Sequence, residues 1–225
     1  MRPRVVAIVP AAGLGKRLKT REKKAFVRLG GRPLIVYALK TLNSSKYIDT
    51  IIIAVQPTLI KRLKGIIKKY GISKAKFITG GGKTRSKSVK NCFDLIGPSY
   101  DIVLVHDAAR PFLSEDMIAG SVLLAQRHGA CITAVRQTDT VKLADKNLFI
   151  RKTLDRDSLW RAQTPQVFKY SLLKKAYSKA GTREEITDDA IYLERIGKKV
   201  KILEGSAKNI KVTTKEDLKM AEVLL

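Results

Sequence analysis

Short β-branched runs alternate with amphipathic segments along the first half of the chain, and this alternation restricts the fold more than any other feature. The runs are RVVAIVP, TIIIAVQ, KAKFITG, YDIVLVH and ACITAVRQ, and segments such as RPLIVYALKTLNSS and PTLIKRLKGIIKKYG separate them. Strands that alternate with helices form a mainly parallel sheet with helices on both faces. We therefore expect an α/β fold with a doubly wound, Rossmann-like sheet, which binds ligands at the carboxyl ends of its strands.

Four glycine-rich or polar segments directly follow predicted strands. They span residues 10–17, 80–88, 106–111 and 136–142. Because the carboxyl ends of parallel strands meet at one edge of a sheet, we expect these segments to lie close together. This coincidence favours an enzyme site.

The alternation ends near Thr140. The segment TVKLADKNLFIRKTL contains two alternating runs around the turn ADKN, which predicts a β-hairpin at about 140–154 that interrupts the sheet as an arm. Helices are expected near 169–179 and 187–196, then the strand KVKILEG and a last helix from Thr214. A chain of 225 residues without internal repeats suits a single domain, 1–225, with the arm inserted.

The chain is strongly basic, with 45 Lys and Arg against 20 Asp and Glu and a formal net charge of +25. A nucleic-acid-binding module has such a charge, because basic patches release counterions from phosphates. Here the lysines are spread over nearly every predicted helix, without an aromatic ladder or a recognition-helix pattern. A solvated lysine-rich surface is favoured over specific nucleic-acid binding, and steering of polyanionic small substrates is compatible with it.

The cysteines and the N-terminus point to the cytoplasm. Cys92 and Cys131 have no second pair near them, which excludes a disulfide framework and a Cys-rich zinc site and fits a reducing compartment. The first apolar run stops at Pro10, with Lys16 and Arg17 beyond it, so it is predicted to be a strand and not a signal peptide. No apolar run approaches the ~18 residues of a membrane span, and no membrane partner is expected.

The segment VPAAGLGKRL has the glycines of a phosphate-binding turn but matches neither common fingerprint. Gly13 and Gly15 fit G-x-G-x-x-G, but the third glycine position is Leu18. The later GGGKT ends like a P-loop, but the first glycine of that motif would fall on Phe77. Gly13 and Gly15 still permit close approach of backbone N–H groups to phosphate, beside the cation Arg17, although an ordinary tight turn is an alternative.

Several motifs together carry a resemblance to a known family. PAAGLGKR resembles the signature of sugar-phosphate nucleotidyltransferases. With GGGKTRSKSV, VHDAARPF, DTVK, DRDSLWRAQTPQVF, ITDDA and NIKVT, the chain resembles the 2-C-methyl-D-erythritol 4-phosphate cytidylyltransferase family, in order and over essentially its whole length. HDAARP and TPQ are the motifs most specific to this branch.

The resemblance implies a CTP site with a divalent cation. It assigns the triphosphate to Ala11, Ala12, Gly13, Gly15 and Arg17, the base to Gly80, Gly81, Gly82, Arg85 and Ser88, and the ribose to Ala108. Asp107 is expected to hold Mg²⁺ or another divalent cation together with the triphosphate, since Mg²⁺ accepts one carboxylate plus phosphates and water. Arg85 could instead cap the helix that begins there. His106 and Arg110 are expected to have structural roles.

The catalytic cations implied by the resemblance are Arg17, Lys24 and Lys211. In the family the loop lysine has a Pro-Lys-Gln context, whereas here Lys23 and Ala25 flank Lys24. Lys23 is therefore an alternative to Lys24, although a solvated Lys23 beside a functional Lys24 is favoured.

The acceptor is expected, by resemblance, to contact a set of residues that reaches to the end of the chain. These are Asp107, Thr140, Arg156, Thr164, Thr187 and Lys211. Arg156 suits a phosphate monoester through two parallel hydrogen bonds. The resemblance also implies a homodimer in which the arm carries Arg156 and Thr164 into the acceptor pocket of the partner.

The implied reaction is transfer of CMP from CTP to 2-C-methyl-D-erythritol 4-phosphate, with release of pyrophosphate, in non-mevalonate isoprenoid biosynthesis. An acceptor phosphate is already a nucleophile at neutral pH, so no general base is needed, and cations stabilise the transition state. A ribitol-5-phosphate cytidylyltransferase is the main alternative, and a basic nucleic-acid-binding module is a remote one.

Overall fold

The computed structural model describes residues 2–18, 20, 22–179, 186 and 188–225, with only the backbone at Lys16. The strands are β1 Val5–Pro10, β2 Arg28–Leu29, β3 Arg32–Pro33, β4 Thr50–Val55, β5 Ala75–Gly80, β6 Ile102–Val105, β7 Ala130–Arg136, β8 Lys142–Ala144, β9 Ile150–Thr153, β10 Trp160–Lys169 and β11 Lys201–Glu204. The α-helices are α1 Leu34–Ser44, α2 Ile60–Lys69, α3 Arg85–Phe93, α4 Glu115–His128, α5 Tyr170–Lys179, α6 Ile191–Glu194 and α7 Lys215–Val223.

Seven strands form one sheet in the order β11-β7-β10-β6-β1-β4-β5. The pairs β1–β4, β1–β6, β4–β5 and β7–β11 are parallel, whereas β10 is antiparallel to both β6 and β7. The expected doubly wound, mainly parallel sheet is confirmed. The antiparallel β10 was not predicted, because the segment DRDSLWRAQTPQVF has neither clear alternation nor a β-branched run.

Alternate residues of each central strand bury opposite faces of the sheet. In β1, Val5, Ala7 and Val9 pack in a core that also includes side chains of α1, α2 and α4. Val6 and Ile8 pack on the other face, in a core with side chains of α3, α5 and α6. Both faces are therefore covered, which explains why the predicted strands are continuous apolar runs.

The predicted hairpin is present and separate from the main sheet. β8 and β9 pair only with each other among the described strands, and Asp145 caps the turn by accepting from the N–H groups of Asn147 and Phe149. The hairpin connects the carboxyl end of β7 to the start of β10, so it leaves the sheet at the edge where the other parallel strands end.

Two predicted boundaries differ from the structure. The helix expected at 187–196 is α6, which spans only Ile191–Glu194, and part of the expected range lies outside the described residues. The helix after the second glycine loop, which the sequence predicts over 85–96, ends earlier, at Phe93. Among the described residues, no helix is both long enough and apolar enough to cross a membrane.

Candidate active site

The turn after β1 packs directly on the short 3-10 helix Lys24–Phe26, which lies further along the same connection to β2. Gly15 has a φ of +69°, in the left-handed region that favours glycine, and its carbonyl accepts from the N–H of Leu18 at 2.9 Å. A Cβ at Gly15 would lie 2.7 Å from Cβ of Lys24. The glycine is therefore required here by both backbone conformation and close packing.

The second glycine loop packs against the first. A Cβ added at Gly81 would lie 2.0 Å from Cβ of Ala12, so only glycine fits between the two loops. The N–H of Gly82 donates to Oγ of Ser88 at 3.1 Å. The hydroxyl of Ser88, in the first turns of α3, thus holds the second glycine loop in shape.

Thr84 caps α3 by accepting from the N–H of Lys87 at 3.1 Å, which excludes Arg85 as the capping residue.

Asp107 follows β6 and is almost completely buried, yet both of its carboxylate oxygens face cations. Arg85 Nε lies 2.8 Å from Oδ1, and Lys211 Nζ lies 2.7 Å from Oδ2. Burial alone would raise the pKa of this carboxyl group, but the charges of Arg85 and Lys211 outweigh burial and hold the pKa well below its usual range. Asp107 is therefore a carboxylate at neutral pH.

Lys24 lies half-buried near three charged groups of the same site. Its burial, together with the positive charges of Lys211 and Arg17, lowers the pKa of the amino group to about 8, against the opposing charge of Asp107. Lys23 is exposed. The structure thus places Lys24, and not Lys23, among the other predicted catalytic cations.

A buried network behind Asp107 explains the neighbouring motif residues. Because the carbonyl of Arg110 can only accept, Nε2 of His106 donates to it at 3.1 Å, and Nδ1 of the neutral ring accepts from the hydroxyl of Thr164 at 3.0 Å. Thr164 Oγ1 in turn accepts from the N–H of Asp107 at 3.1 Å. Burial lowers the pKa of His106 to about 4, so the ring is neutral. Both of its nitrogens are engaged in hydrogen bonds that hold the loop together.

Arg110 braces the same loop, as expected. Its guanidinium donates to the carbonyl of Asn209 at 2.6 Å, and its Nε lies 3.7 Å from Oδ2 of Asp107. This contact fixes the segment that leads to Lys211 beside the loop after β6.

A cavity of about 530 Å³ opens between these loops at the carboxyl edge of the sheet. Its lining includes most of the predicted nucleotide and catalytic residues: Ala11, Ala12, Gly13, Gly15, Arg17, Lys24, Gly81, Gly82, Arg85, Ser88, Asp107, Ala108 and Lys211. Lys83, Gln56 and Thr213 line it as well and were not predicted. Gln56 could have been found, because it directly follows β4 at the same edge; its amide donates to the carbonyl of Ala12 at 3.1 Å.

The predicted acceptor residues are only partly brought together within one chain. Thr140 and Arg156 are exposed, away from the lining of this cavity, and Arg156 donates to the carbonyl of Thr138 at 3.3 Å. Thr187 lies outside the described residues. Gly80 is also absent from the lining; its carbonyl accepts from Asn91 at 2.9 Å.

The expectation that the arm carries Thr164 into a partner is wrong. Thr164 lies on β10, beyond the hairpin, with 2% of its surface exposed. Its hydroxyl is used by His106 and Asp107 of the same chain. A side chain held in this way cannot move with the arm.

The side chains that line the cavity can hold a divalent cation only if the substrate supplies most of the metal ligands. The described residues contain no cluster of three or more His, Cys, Asp or Glu side chains that could hold a metal. Asp107 is the single carboxylate on the described lining of the cavity, which also carries five cations: Arg17, Lys24, Lys83, Arg85 and Lys211. One carboxylate plus phosphate oxygens is an arrangement that Mg²⁺ accepts.

The sequence of this chain matches a family of nucleotide-transferring enzymes, in agreement with the charge and the glycine loops of the site. The family model described as "IspD: 2-C-methyl-D-erythritol 4-phosphate cytidylyltransferase" matches residues 5–225. Curated relatives with that enzyme name include one from Geobacillus kaustophilus, 43% identical over 97% of this chain and 96% of the relative. Another, from Alkaliphilus oremlandii, is 40% identical over 97% of this chain and 93% of the relative.

Solved structures show the same relationship. The crystal structure of 4-diphosphocytidyl-2C-methyl-D-erythritol synthase from Anaerococcus prevotii matches with a TM-score of 0.86 and 32% identity, over 99% of this chain and 96% of that one. The cytidylyltransferase structure from Thermus thermophilus matches with a TM-score of 0.77 and 30% identity, over 100% of this chain and 98% of that one. The cavity at the carboxyl edge, with its glycine loops and its cations around Asp107, is thus carried by a chain that belongs to the family of 2-C-methyl-D-erythritol 4-phosphate cytidylyltransferases.

Proposed function

We propose that the cavity around Asp107 binds CTP and 2-C-methyl-D-erythritol 4-phosphate, and that the chain transfers the cytidylyl group to give 4-diphosphocytidyl-2-C-methyl-D-erythritol and pyrophosphate. The observation that carries this proposal is the charge of the described lining, five cations and one carboxylate, between two glycine loops. Such a cavity attracts a triphosphate and a phosphate monoester and is unsuited to a neutral substrate.

The two glycine loops divide the nucleotide between them. The loop of Ala11, Ala12, Gly13 and Gly15 binds the triphosphate, with Arg17 at the α-phosphate. Gly80, Gly81, Gly82, Arg85 and Ser88 form the base side, and Ala108 contacts the ribose. The contact between Gly81 and Ala12 supports this division, because it fixes both halves of the nucleotide site relative to each other.

The reaction needs positioned cations and no general base. An oxygen of the acceptor phosphate attacks the α-phosphorus of CTP in line, its new bond forms as the bond to pyrophosphate breaks, and charge grows on the non-bridging oxygens. Arg17, Lys24 and Lys211 stabilise that charge. His106, the histidine nearest the cavity, is neutral and fully hydrogen-bonded, which agrees with a mechanism that moves no proton.

Mg²⁺, or another divalent cation, accompanies the triphosphate. Asp107 is the residue that would hold it, together with phosphate oxygens. When bound, the cation neutralises charge on the triphosphate and on the leaving pyrophosphate.

The acceptor site is completed by a second copy of the chain in a homodimer. Asp107 and Lys211 contact the acceptor from one chain, and Thr140 and Arg156 come from the arm of the partner. Thr164 and Thr187 are assigned to the acceptor by the family resemblance alone. The exposure of Leu148, Phe149 and Ile150 on the hairpin, at 85%, 70% and 65%, supports an interface there.

The substrates and the free, buried cysteines support a cytoplasmic location for the enzyme.

Pyrophosphate release from CTP and Mg²⁺, with one acceptor at a time, tests this function. We expect turnover with 2-C-methyl-D-erythritol 4-phosphate and much slower turnover with ribitol 5-phosphate. Faster turnover with ribitol 5-phosphate would reassign the acceptor. Binding to random duplex DNA with a steep salt dependence, without CTP turnover, would replace the enzyme by a nucleic-acid-binding module.

A further inference from the structure

Asp189 is a buried carboxylate that has no part in the reaction described so far. It lies just before α6 with 0% of its surface exposed, and it is absent from the described lining of the cavity. Its Oδ2 accepts from the guanidinium of Arg85 at 2.7 Å. Its Oδ1 has no hydrogen-bond partner among the described residues. Burying an ionised side chain costs free energy unless the charge is paired, so the pairing of Asp189 with Arg85 must hold it in this position.

The segment around Asp189 is fixed to the sheet by Gln166. Oε1 of Gln166, on β10, accepts from the N–H of Asp189 at 2.9 Å. Nε2 of the same side chain donates to Oδ2 of Asp188 at 3.3 Å. Asp189 is thus attached to a central strand and not to a mobile surface loop. These contacts give a structural role to Gln166 of the TPQ motif and to the two aspartates of the ITDDA motif.

Arg85 connects this fixed point to the cavity. One edge of its guanidinium faces Asp189, while its Nε donates to Oδ1 of Asp107 at 2.8 Å. The other oxygen of Asp107 faces Lys211 Nζ at 2.7 Å. The guanidinium is planar and rigid, so a carboxylate that holds one edge also fixes the direction of the other.

We propose that Asp189 is a positioning residue: it holds Arg85 in place, and through Arg85 it fixes the orientation of Asp107 and Lys211 toward the substrates. Without the Asp189 carboxylate, Arg85 keeps one anionic partner and gains freedom to turn toward a bound phosphate. Asp107 then loses its fixed direction. This role rests on the proposed function, because its measured consequence is a change in cytidylyl transfer.

A double-mutant cycle on the purified chain tests the proposal. The variants are Asp189→Asn, Arg85→Gln and the two together, with kcat and KM measured for CTP and for the acceptor. We expect Asp189→Asn to lower kcat about 10–100-fold, the range typical of residues that orient a directly acting group. The KM for CTP should change by a smaller factor, because Asp189 touches no substrate and Arg85, on the base side of the site, keeps Asp107 as its partner. The double variant should be no slower than Arg85→Gln, since Asp189 acts only through Arg85.

Asp188→Asn is the matched control. Its side chain accepts from Gln166 and from the N–H of Ile191 at 3.2 Å, and no contact of its own reaches Arg85. The same chemical change one residue away should lower kcat much less than Asp189→Asn, because the N–H of Asp189 keeps its own bond to Gln166. An equal loss in Asp188→Asn, or losses that multiply in the double variant, would show a general structural effect and overturn the proposal.

Crystal structures of wild type and of Asp189→Asn test the positioning role of Asp189 independently of any enzyme activity. If the wild-type chain shows no cytidylyl transfer, the proposed function fails, but the geometry is still measured. We expect the Arg85 and Asp107 side chains to move in the variant. Unchanged positions of both side chains would overturn the positioning role, whatever the activity.

Discussion

The backbone of Gly15 lies so close to Lys24 that an added Cβ would sit 2.7 Å from Cβ of the lysine. Both residues lie between β1 and β2, and Lys24 begins the short 3-10 helix Lys24–Phe26, so their contact sets the distance between the turn after β1 and a cation with a lowered pKa. The triphosphate site and the position of Lys24 are therefore coupled through one glycine.

Gly15→Ala should disrupt this coupling. The φ of +69° alone costs an alanine about 1–2 kcal/mol, and the overlap with Lys24 requires one loop to shift. We expect a lower melting temperature and a lower kcat. Gly13→Ala is the matched control for stability, since nothing lies within 4 Å of a Cβ there. Equal destabilisation by both substitutions would contradict the argument.

Lys24 should set the alkaline limit of activity. Its pKa of about 8 means that the amino group is charged below pH 8 and loses its charge as the pH rises above it. We expect kcat/KM for CTP, which reports the free enzyme, to fall above that pH. Lys24→Arg should move the fall to higher pH, because a guanidinium stays charged. An unchanged pH profile in Lys24→Arg would show that another group titrates.

The lowered pKa of Lys24 also makes the stability of the fold depend on pH. A lysine that binds its proton less tightly in the folded than in the unfolded chain makes folding less favourable below its folded pKa, and this penalty is relieved as pH rises from about 8 toward 10.5. Lys24→Met should therefore raise the melting temperature at pH 7 while lowering kcat about 10²–10³-fold. Lys23→Met, at the exposed neighbour, should do neither. If Lys23→Met is the damaging substitution, the assignment of the catalytic lysine is wrong.

Lys23 stands where the family pattern has proline, and the structure shows why the change is tolerated. Its φ of −68° and ψ of 138° are values that proline also adopts. Lys23→Pro should stabilise the chain by about 0.4–1 kcal/mol by restricting the unfolded state. Denaturant unfolding measures this, and a destabilised variant would show that the N–H of Lys23 or the residue before it opposes proline.

Most of the sheet could be predicted from sequence, because strands buried on both faces are continuous apolar runs, such as Val5–Val9. β10 could not, since it joins the sheet through neighbours that lie far away in sequence and carries Pro165. The same limit applies to the site. The residues around Asp107 could be recognised as motifs, but the pairing of Arg85 with Asp189, 104 residues apart, depends on tertiary packing.

CTP should be preferred over UTP. The N–H groups of Gly81 and Gly82 are already engaged, with the carbonyl of Val55 at 2.8 Å and with Ser88 at 3.1 Å. We expect this loop to recognise the base through carbonyl oxygens, which accept from the amino group of cytosine and repel the oxygen that uracil carries there. Discrimination in kcat/KM should be at least about 10²-fold. Equal turnover of UTP would contradict this assignment.

The hairpin arm should bring Arg156 into the acceptor site of the partner. Arg156 is exposed and bonded only to the carbonyl of Thr138 in the described contacts, whereas Arg17 lines the cavity of its own chain. If the partner's Arg156 completes each acceptor site, then each site uses Arg17 from one chain and Arg156 from the other. Two inactive variants, Arg17→Ala and Arg156→Ala, should therefore complement each other.

Mixing, unfolding and refolding the two variants together measures this complementation. In a mixed dimer, one site inherits both substitutions and the other inherits neither. Random pairing makes about half of the dimers mixed, so about a quarter of wild-type activity should return if the sites work independently. Each variant refolded alone is the control and should stay inactive. Mixed dimers that form without recovery of activity would place Arg156 in the site of its own chain, because only a residue that crosses the interface can restore an intact site in this way.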